Sequence, residues 1–163
     1  MYENEKRRRE WFQNYITQIE RGVIKVPRSG IMYLCPCCGY PTLHGRSSFE
    51  ICPLCNWEDD GQDDPYADEV WGGPNKGYSL TEARQNFRRN LVMYGSVDPR
   101  IGGSDSKLER KAKELMIDTF EQMPDETDAE TMGKLWDQVR ESQKTLYQET
   151  VRKVREFEQQ HKK

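Results

Sequence analysis

Two Cys-x-x-Cys pairs constrain this chain more than any other feature of its sequence. Cys35 and Cys38 form the first pair, Cys52 and Cys55 form the second, and thirteen residues separate them. Each pair can bring two thiolates to one metal ion, and four thiolates complete a tetrahedral zinc site. In both turns proline follows the first cysteine, and a residue that tolerates positive φ follows the second. We therefore predict one structural Zn²⁺ bound by Cys35, Cys38, Cys52 and Cys55.

The composition agrees with a metal-stabilised fold. Hydrophobic residues make up 34% of the chain and charged residues 33%, so the core is small for 163 residues. A short β-region cannot bury enough apolar surface alone, and a bound metal compensates. The alternative, two disulfides or a redox dithiol, fits poorly with two matched pairs. The odd number of cysteines indicates a reducing compartment, and neither a signal peptide nor a membrane span is recognisable, so we expect a cytoplasmic protein.

The charge distribution argues against nucleic-acid binding. Residues 31–78 carry two basic and eight acidic side chains. A zinc ion with four thiolates adds a formal charge of about −2 to this region. Phosphate backbones require the opposite field, although residues 6–9 form a basic run near the N-terminus. We therefore predict weak nucleic-acid binding and an unidentified protein partner, which the acidic surface suggests is basic.

Hydrophobic periodicity predicts an α+β fold in three segments. Residues 1–30 form an amphipathic helix and a linker, 31–102 a zinc-binding domain, and 103–163 a C-terminal helical hairpin. Within the zinc ribbon, we expect 42–43 and 49–51 to be the arms of a β-hairpin. A capping helix then begins at Leu80, after the capping residue Ser79, and ends at Gly95. Asp98–Pro99 and Gly102–Gly103 are predicted to form a linker.

Two capping patterns begin the C-terminal hairpin. Ser106 with Glu109 starts a helix that ends near Met123, and Thr127 with Glu130 starts one that ends near Gln160. The second helix is about twice as long as the first, so its excess length must pack on another part of the chain or on a second copy. A homodimer through this helix is one expectation. The apolar positions predicted to face inward are Leu108, Ala112, Leu115, Met116, Phe120, Met132, Leu135, Trp136, Val139, Leu146, Val151 and Val154.

Three further groups of residues are candidates for function. Cys37 lies between two predicted ligands and is expected to be a spare thiol, since His44 and His161 are poorly placed to activate it. The acidic run at 58–64 is expected to be a solvated loop, with a second metal site such as Mg²⁺ and docking of a basic partner as the alternatives. Arg84 and Arg88 share a helix face, and they either pair with that loop or bind phosphate.

Several separated motifs together resemble one known family. They are Cys35-Pro36-Cys37-Cys38-Gly39-Tyr40, Thr42-Leu43, Ile51-Cys52-Pro53-Leu54-Cys55, Trp57-Glu58-Asp59-Asp60-Gly61, Gly72-Gly73-Pro74-Asn75 and Ser79-Leu80-Thr81-Glu82-Ala83-Arg84-Gln85-Asn86-Phe87. With these motifs, the segment of about 33–95 is similar to the bacterial cysteine-rich CPCC family, whose members are taken to be small cytoplasmic zinc-binding proteins without an assigned activity. The resemblance thus implies a metal site and says little about purpose.

The sequence therefore favours a protein-interaction module with a structural zinc. The first alternative is an enzyme that acts on a phosphorylated substrate through the acidic loop and Arg84 or Arg88. The second is a nucleic-acid-binding zinc ribbon that uses the basic run at 6–9. The absence of a well-placed histidine or an open metal position argues against the enzyme, and the acidic ribbon argues against the nucleic-acid binder.

Overall fold

The chain divides into two compact units, Met1–Gly103 and Ser104–Lys163. The structure, a computed structural model, describes residues 2–98 and 105–162. The predicted linker at Pro99 and Gly102–Gly103 lies outside these residues. Within the described part of the chain, every helix is too short or too polar to cross a membrane.

The first unit combines two long helices with little β-structure, which confirms the α+β class. Helix α1 (Tyr2–Glu20) and helix α2 (Leu80–Asn90) accompany strands β1 (Tyr33–Leu34) and β2 (Pro41–Leu43). Short 3₁₀ turns occur at Asp64–Tyr66 and Gly73–Asn75. Helix α1 is amphipathic, as the sequence predicted, and its apolar face is buried at Phe12, Tyr15, Ile16 and Ile19.

Each cysteine knuckle has its own antiparallel flanks. Strands β1 and β2 enclose the first knuckle, with Tyr33 opposite Leu43. Ile51 forms an isolated bridge with Glu58, and residue 49 bonds to residue 59, so the second knuckle is enclosed in the same way. The predicted pairing of 42–43 with 49–51 is wrong in the described residues. A Cys-x-x-Cys knuckle is itself a tight turn and therefore brings its own two flanks together.

Helix α2 begins where the sequence predicted but ends earlier. The Ser79 hydroxyl accepts a hydrogen bond from the Glu82 amide at 3.1 Å, as a capping residue does. The helix ends at Asn90 rather than near Gly95, because Leu91 takes a left-handed conformation with φ of 56°. The chain then turns back, and the Met93 amide donates to the Cys55 carbonyl at 2.8 Å. The end of α2 is thereby connected to the second knuckle.

The second unit contains two helices, α3 (Lys107–Gln122) and α4 (Ala129–His161), and each begins at a capping residue. The capping box of Ser106 and Glu109 is present as predicted. The cap of α4 is Asp128 rather than Thr127, because the Asp128 carboxylate accepts from the Thr131 amide at 2.8 Å.

The buried face of the second unit is narrower than the sequence indicated. Met116 and Phe120 of α3 are fully buried, and the Phe120 ring meets Trp136 of α4 edge-on at 6.1 Å between centroids. Three positions predicted to face inward are instead exposed, because periodicity alone does not show how wide a helix contact is. These positions are Leu108, Leu115 and Val154.

Candidate metal centre

The four predicted ligands converge at one buried point. The Sγ atoms of Cys35 and Cys55 are 3.6 Å apart, and those of Cys38 and Cys52 are 3.8 Å apart. All four Sγ atoms lie within 4.8 Å of one another, and each residue is buried. A tetrahedral site with Zn–S bonds of about 2.3 Å has S–S edges of about 3.8 Å. The cysteine cluster therefore has the dimensions of a tetrathiolate metal site.

The two knuckles have matching backbone geometry. In the first, the Gly39 amide donates to the Cys35 carbonyl, and in the second the Asn56 amide donates to the Cys52 carbonyl, both at 2.9 Å. Gly39 has φ of 73° and Asn56 has φ of 67°, so both take the left-handed conformation that the sequence predicted. Each pair of thiols is thus held by its own hydrogen-bonded turn, independently of the other pair.

Burial of four thiols in one cluster opposes their ionisation. Burial raises the pKa of the Cys35, Cys38 and Cys55 thiols well above the ordinary value. Burial also acts on Cys52, but hydrogen bonds from the other three thiols and from the Thr42 hydroxyl, at 3.0 Å, hold its pKa well below that value. Four thiolates require a bound cation to compensate their charge.

Cys37 is buried but is not one of the four converging thiols. Its carbonyl accepts from Arg9 at 2.9 Å, and its side chain hydrogen-bonds that of Cys55, one of the four. Both observations agree with the interpretation of Cys37 as a spare buried thiol.

We therefore expect Cys37→Ser to keep the metal and to change the melting temperature by only a few degrees. The substitution removes no metal ligand and leaves the carbonyl contact with Arg9 in place. Metal analysis and a thermal melt of the purified variant would check this, with Cys38→Ser as the matched control. Metal loss from Cys37→Ser together with retention by Cys38→Ser would show that the ligands are misassigned.

Two arginines hold the outside of the first knuckle. Arg9 of α1 donates to the Cys37 carbonyl at 2.9 Å, and Arg84 of α2 donates to the Pro36 carbonyl at 2.9 Å. Gly39 fits closely under Arg9, since a Cβ atom there would lie 2.6 Å from the guanidinium carbon. The sequence analysis missed the role of Arg9, because a basic run carries no signal of a partner 28 residues away.

The acidic loop at 58–64 is fixed by arginines rather than freely solvated. Asp59 is fully buried, and its carboxylate accepts from the Arg46 side chain at 2.9 Å and from the Ser47 amide at 2.8 Å. Arg84 donates to Asp64 at 2.6 Å, as the sequence predicted. Arg88 pairs with Glu5 of α1 at 2.8 Å.

The two tryptophans near the acidic loop have different environments. Trp57 is fully buried, and its backbone carbonyl accepts from the Cys52 amide at 2.8 Å, next to the second knuckle. Trp71 is 44% exposed, and its ring lies beside that of Tyr66, with 5.8 Å between centroids. Burial of an aromatic in this loop therefore follows from attachment to the knuckle and not from size alone.

Neutralising Asp59 and Asp60 should have unequal effects on stability. Asp59→Asn leaves a buried amide facing donors from Arg46 and Ser47, and we expect a loss of about 1.5–3 kcal/mol. Asp60 is half-buried, and its main contact is the Gln62 amide at 3.0 Å, so Asp60→Asn should cost no more than about 1 kcal/mol. Urea unfolding of both variants would measure the difference. Equal losses would mean that both carboxylates bind a common ligand.

Comparison with known proteins adds one finding to this geometry. Residues 33–103 match the family described as Cysteine-rich CPCC. No curated protein and no solved structure matches the chain. The matched segment contains both knuckles, the acidic loop and α2, while α1 and the second unit lie outside it. The resemblance predicted from the motifs is thus confirmed over residues 33–103, which match the model of the cysteine-rich CPCC family.

Proposed function

We propose that the cysteine cluster binds one structural Zn²⁺ and that the protein acts as a protein-interaction module built around it. The observation that supports the metal role is the closed set of four buried thiols at tetrahedral spacing. Catalytic zinc sites keep a coordination position for water or substrate, whereas structural sites fill all four with protein ligands. Four cysteines at one ion leave no such position.

Metal analysis of the native protein tests the metal role. We expect about one zinc per chain by elemental mass spectrometry, since one tetrahedral site takes one ion. Replacement by Co²⁺ should give the absorption of a tetrahedral thiolate complex. Iron at the site in place of zinc, or a folded protein without metal, would contradict the proposal.

The interaction role is supported by apolar side chains exposed beside the second knuckle. Phe49 and Ile51 are 59% and 58% exposed. Phe49 also has φ of 59°, a conformation that bulky residues rarely adopt. Three acidic residues are close to this pair. Glu50 lies between the two in sequence, Glu58 forms the bridge with Ile51, and Asp60 follows the residue whose carbonyl accepts from the Phe49 amide. An exposed apolar pair with acidic neighbours favours a partner that offers apolar and basic groups.

Substitution of the exposed pair tests this role. Phe49→Ser with Ile51→Ser should remove the proteins that co-purify with the tagged native chain while keeping the metal. Val23→Ser is the matched control, since Val23 is 71% exposed and far from the knuckles in sequence. Unchanged co-purification with the double variant would contradict the proposed surface.

The two alternatives receive less support. Of the two arginines of the enzyme alternative, Arg84 pairs with Asp64 of the acidic loop, whereas Arg88 pairs with Glu5 of α1. For nucleic acid, the basic run is partly engaged inside the protein, because Arg8 lies 4.2 Å over the Tyr40 ring and Arg9 contacts the first knuckle.

We accordingly predict DNA and RNA dissociation constants no tighter than about 10⁻⁶ M at about 150 mM salt, the range of non-specific binding. The acidic cysteine region should repel phosphate backbones. Fluorescence anisotropy with a labelled duplex and a labelled single strand would check this. Sub-micromolar binding at that salt concentration would favour the nucleic-acid alternative.

A further inference from the structure

Asp64 lies where arginines from three parts of the first unit converge. Arg84 of α2 donates to the Asp64 carboxylate at 2.6 Å. The hydrogen bond from Arg84 lowers the pKa of the Asp64 carboxyl, and the charges of Arg84, Arg9 and Arg46 act in the same direction. Arg9 belongs to α1, and Arg46 follows β2. One exposed carboxylate therefore occupies a position that three guanidinium groups favour.

Open space extends on both sides of this carboxylate. One cavity of about 540 Å³ is lined by Arg84 and Arg88, among others, and a second of about 480 Å³ by Arg46. Arg9, Glu10 and Asp64 line both cavities, so Asp64 is located where the two meet. A ligand that entered either cavity could present a charged group at this junction.

The arginines are held in place by groups other than Asp64. Arg84 donates to the Pro36 carbonyl at 2.9 Å, and Arg9 donates to the Cys37 carbonyl at the same distance. Arg46 donates to the buried Asp59 carboxylate at 2.9 Å. The guanidinium groups would therefore stay near the junction if Asp64 moved away, and a preorganised site loses less entropy when it binds.

Asp64 itself is weakly held and can leave the junction by rotation of its side chain. Its side chain is 77% exposed, and exposed ion pairs contribute little to stability. Its backbone is fixed separately, because the Asp63 carboxylate accepts from the Asp64 amide at 3.0 Å at the start of the 3₁₀ turn. The turn need not change when the carboxylate is displaced.

We propose that this junction is a binding site for one oxyanion group, a carboxylate or a phosphate, carried by a ligand, and that Asp64 occupies the site in the absence of that ligand. Arg84 makes the direct contact. Arg9 and Arg46 lie beside it, each already paired with acids: Arg9 with Glu5, and Arg46 with Asp59 and Asp63. Guanidinium groups suit this role because their donors match the geometry of carboxylate and phosphate oxygens. The site goes beyond the proposed structural zinc and does not depend on which protein partner is bound.

The test uses the zinc-loaded full-length protein with acetate and inorganic phosphate as separate probes at constant ionic strength. Arginine Nε–H resonances in ¹⁵N-resolved NMR spectra report binding at the guanidinium groups. Removing the competing carboxylate with Asp64→Asn should tighten binding about two- to fivefold, the value of an exposed ion pair. Arg84→Gln should weaken it at least about tenfold, through loss of a charged hydrogen bond.

Glu69→Gln is the matched control. Glu69 is an exposed acid five residues after Asp64, and its side chain lines neither cavity. Equal gains from Asp64→Asn and Glu69→Gln would reduce the effect to general electrostatics and overturn the proposal. Failure of both probes to saturate Asp64→Asn would also overturn it. Tighter binding of phosphate than of acetate, or the reverse, would identify which oxyanion the site takes. Asp64→Asn leaves the contacts of Arg9 and Arg84 with the first knuckle in place. This variant therefore tests the proposal even if Arg84→Gln does not fold.

Discussion

Cys52→Ser should abolish metal binding and unfold the first unit. Cys52 is one of the four buried thiols that converge, and without it only three ligands remain for a tetrahedral ion. Structural zinc contributes about 10–16 kcal/mol in zinc-finger peptides. A typical domain has only about 5–15 kcal/mol of net stability, so we expect the unit to unfold when the proposed metal is lost.

Zinc content by mass spectrometry and amide dispersion in NMR spectra would measure this effect. The second unit has its own buried residues, among them Met116 and Phe120, and should keep its helical signal. Cys37→Ser serves as the matched control, since it removes a cysteine from the same knuckle without removing a ligand. A metal-free Cys52→Ser protein with native dispersion in the first unit would contradict the structural role of zinc.

Trp57→Ala should be the most damaging substitution outside the four ligands. The Trp57 side chain is fully buried beside the second knuckle, and truncation of a buried aromatic to alanine costs about 3–5 kcal/mol. Urea unfolding of the zinc-loaded protein would measure the loss. The effect should exceed that of Asp59→Asn, because the aspartate change keeps the side-chain volume and alters only its hydrogen bonds.

Two companion variants show whether packing is the cause. The Trp57 Nε1 atom is buried and has no hydrogen-bond partner among the described residues, so Trp57→Phe should cost much less than Trp57→Ala. Trp71→Ala should cost about 1 kcal/mol or less, since Trp71 is 44% exposed. A loss from Trp57→Phe as large as that from Trp57→Ala would mean that the indole nitrogen makes an essential contact.

The chemistry of the cysteine cluster was accessible from sequence because it depends on local spacing. A Cys-x-x-Cys turn followed by Gly39 or Asn56 specifies its own backbone, and both turns form as predicted. The strand pairing was not accessible in the same way. Residues 49–51 could pair with 42–43 or with the stretch after the second knuckle, and their apolar pattern is the same in both cases.

Long-range polar contacts were the other feature that sequence reasoning missed. The sequence indicated that Arg84 or Arg88 would hold the acidic loop, and Arg84 does so. It gave no sign that Arg46 would neutralise the buried Asp59, or that Arg88 would pair with Glu5, 83 residues away. Charge alternation along a helix shows which residues can form ion pairs, but only the tertiary fold determines which acid is close enough.

The separate flanks of the two knuckles have a consequence for the folding reaction. Each half of the metal site is a local structure, closed by hydrogen bonds between residues at most ten positions apart, such as Phe49 with Asp59. Loops this short close on a timescale of about 10–100 ns, far faster than a sheet of distant strands can assemble. Both halves can therefore form transiently in the unfolded chain, and capture of the ion by one pair of thiolates would precede recruitment of the other. The rate of folding should accordingly rise with the concentration of free zinc until formation of a half-site becomes limiting.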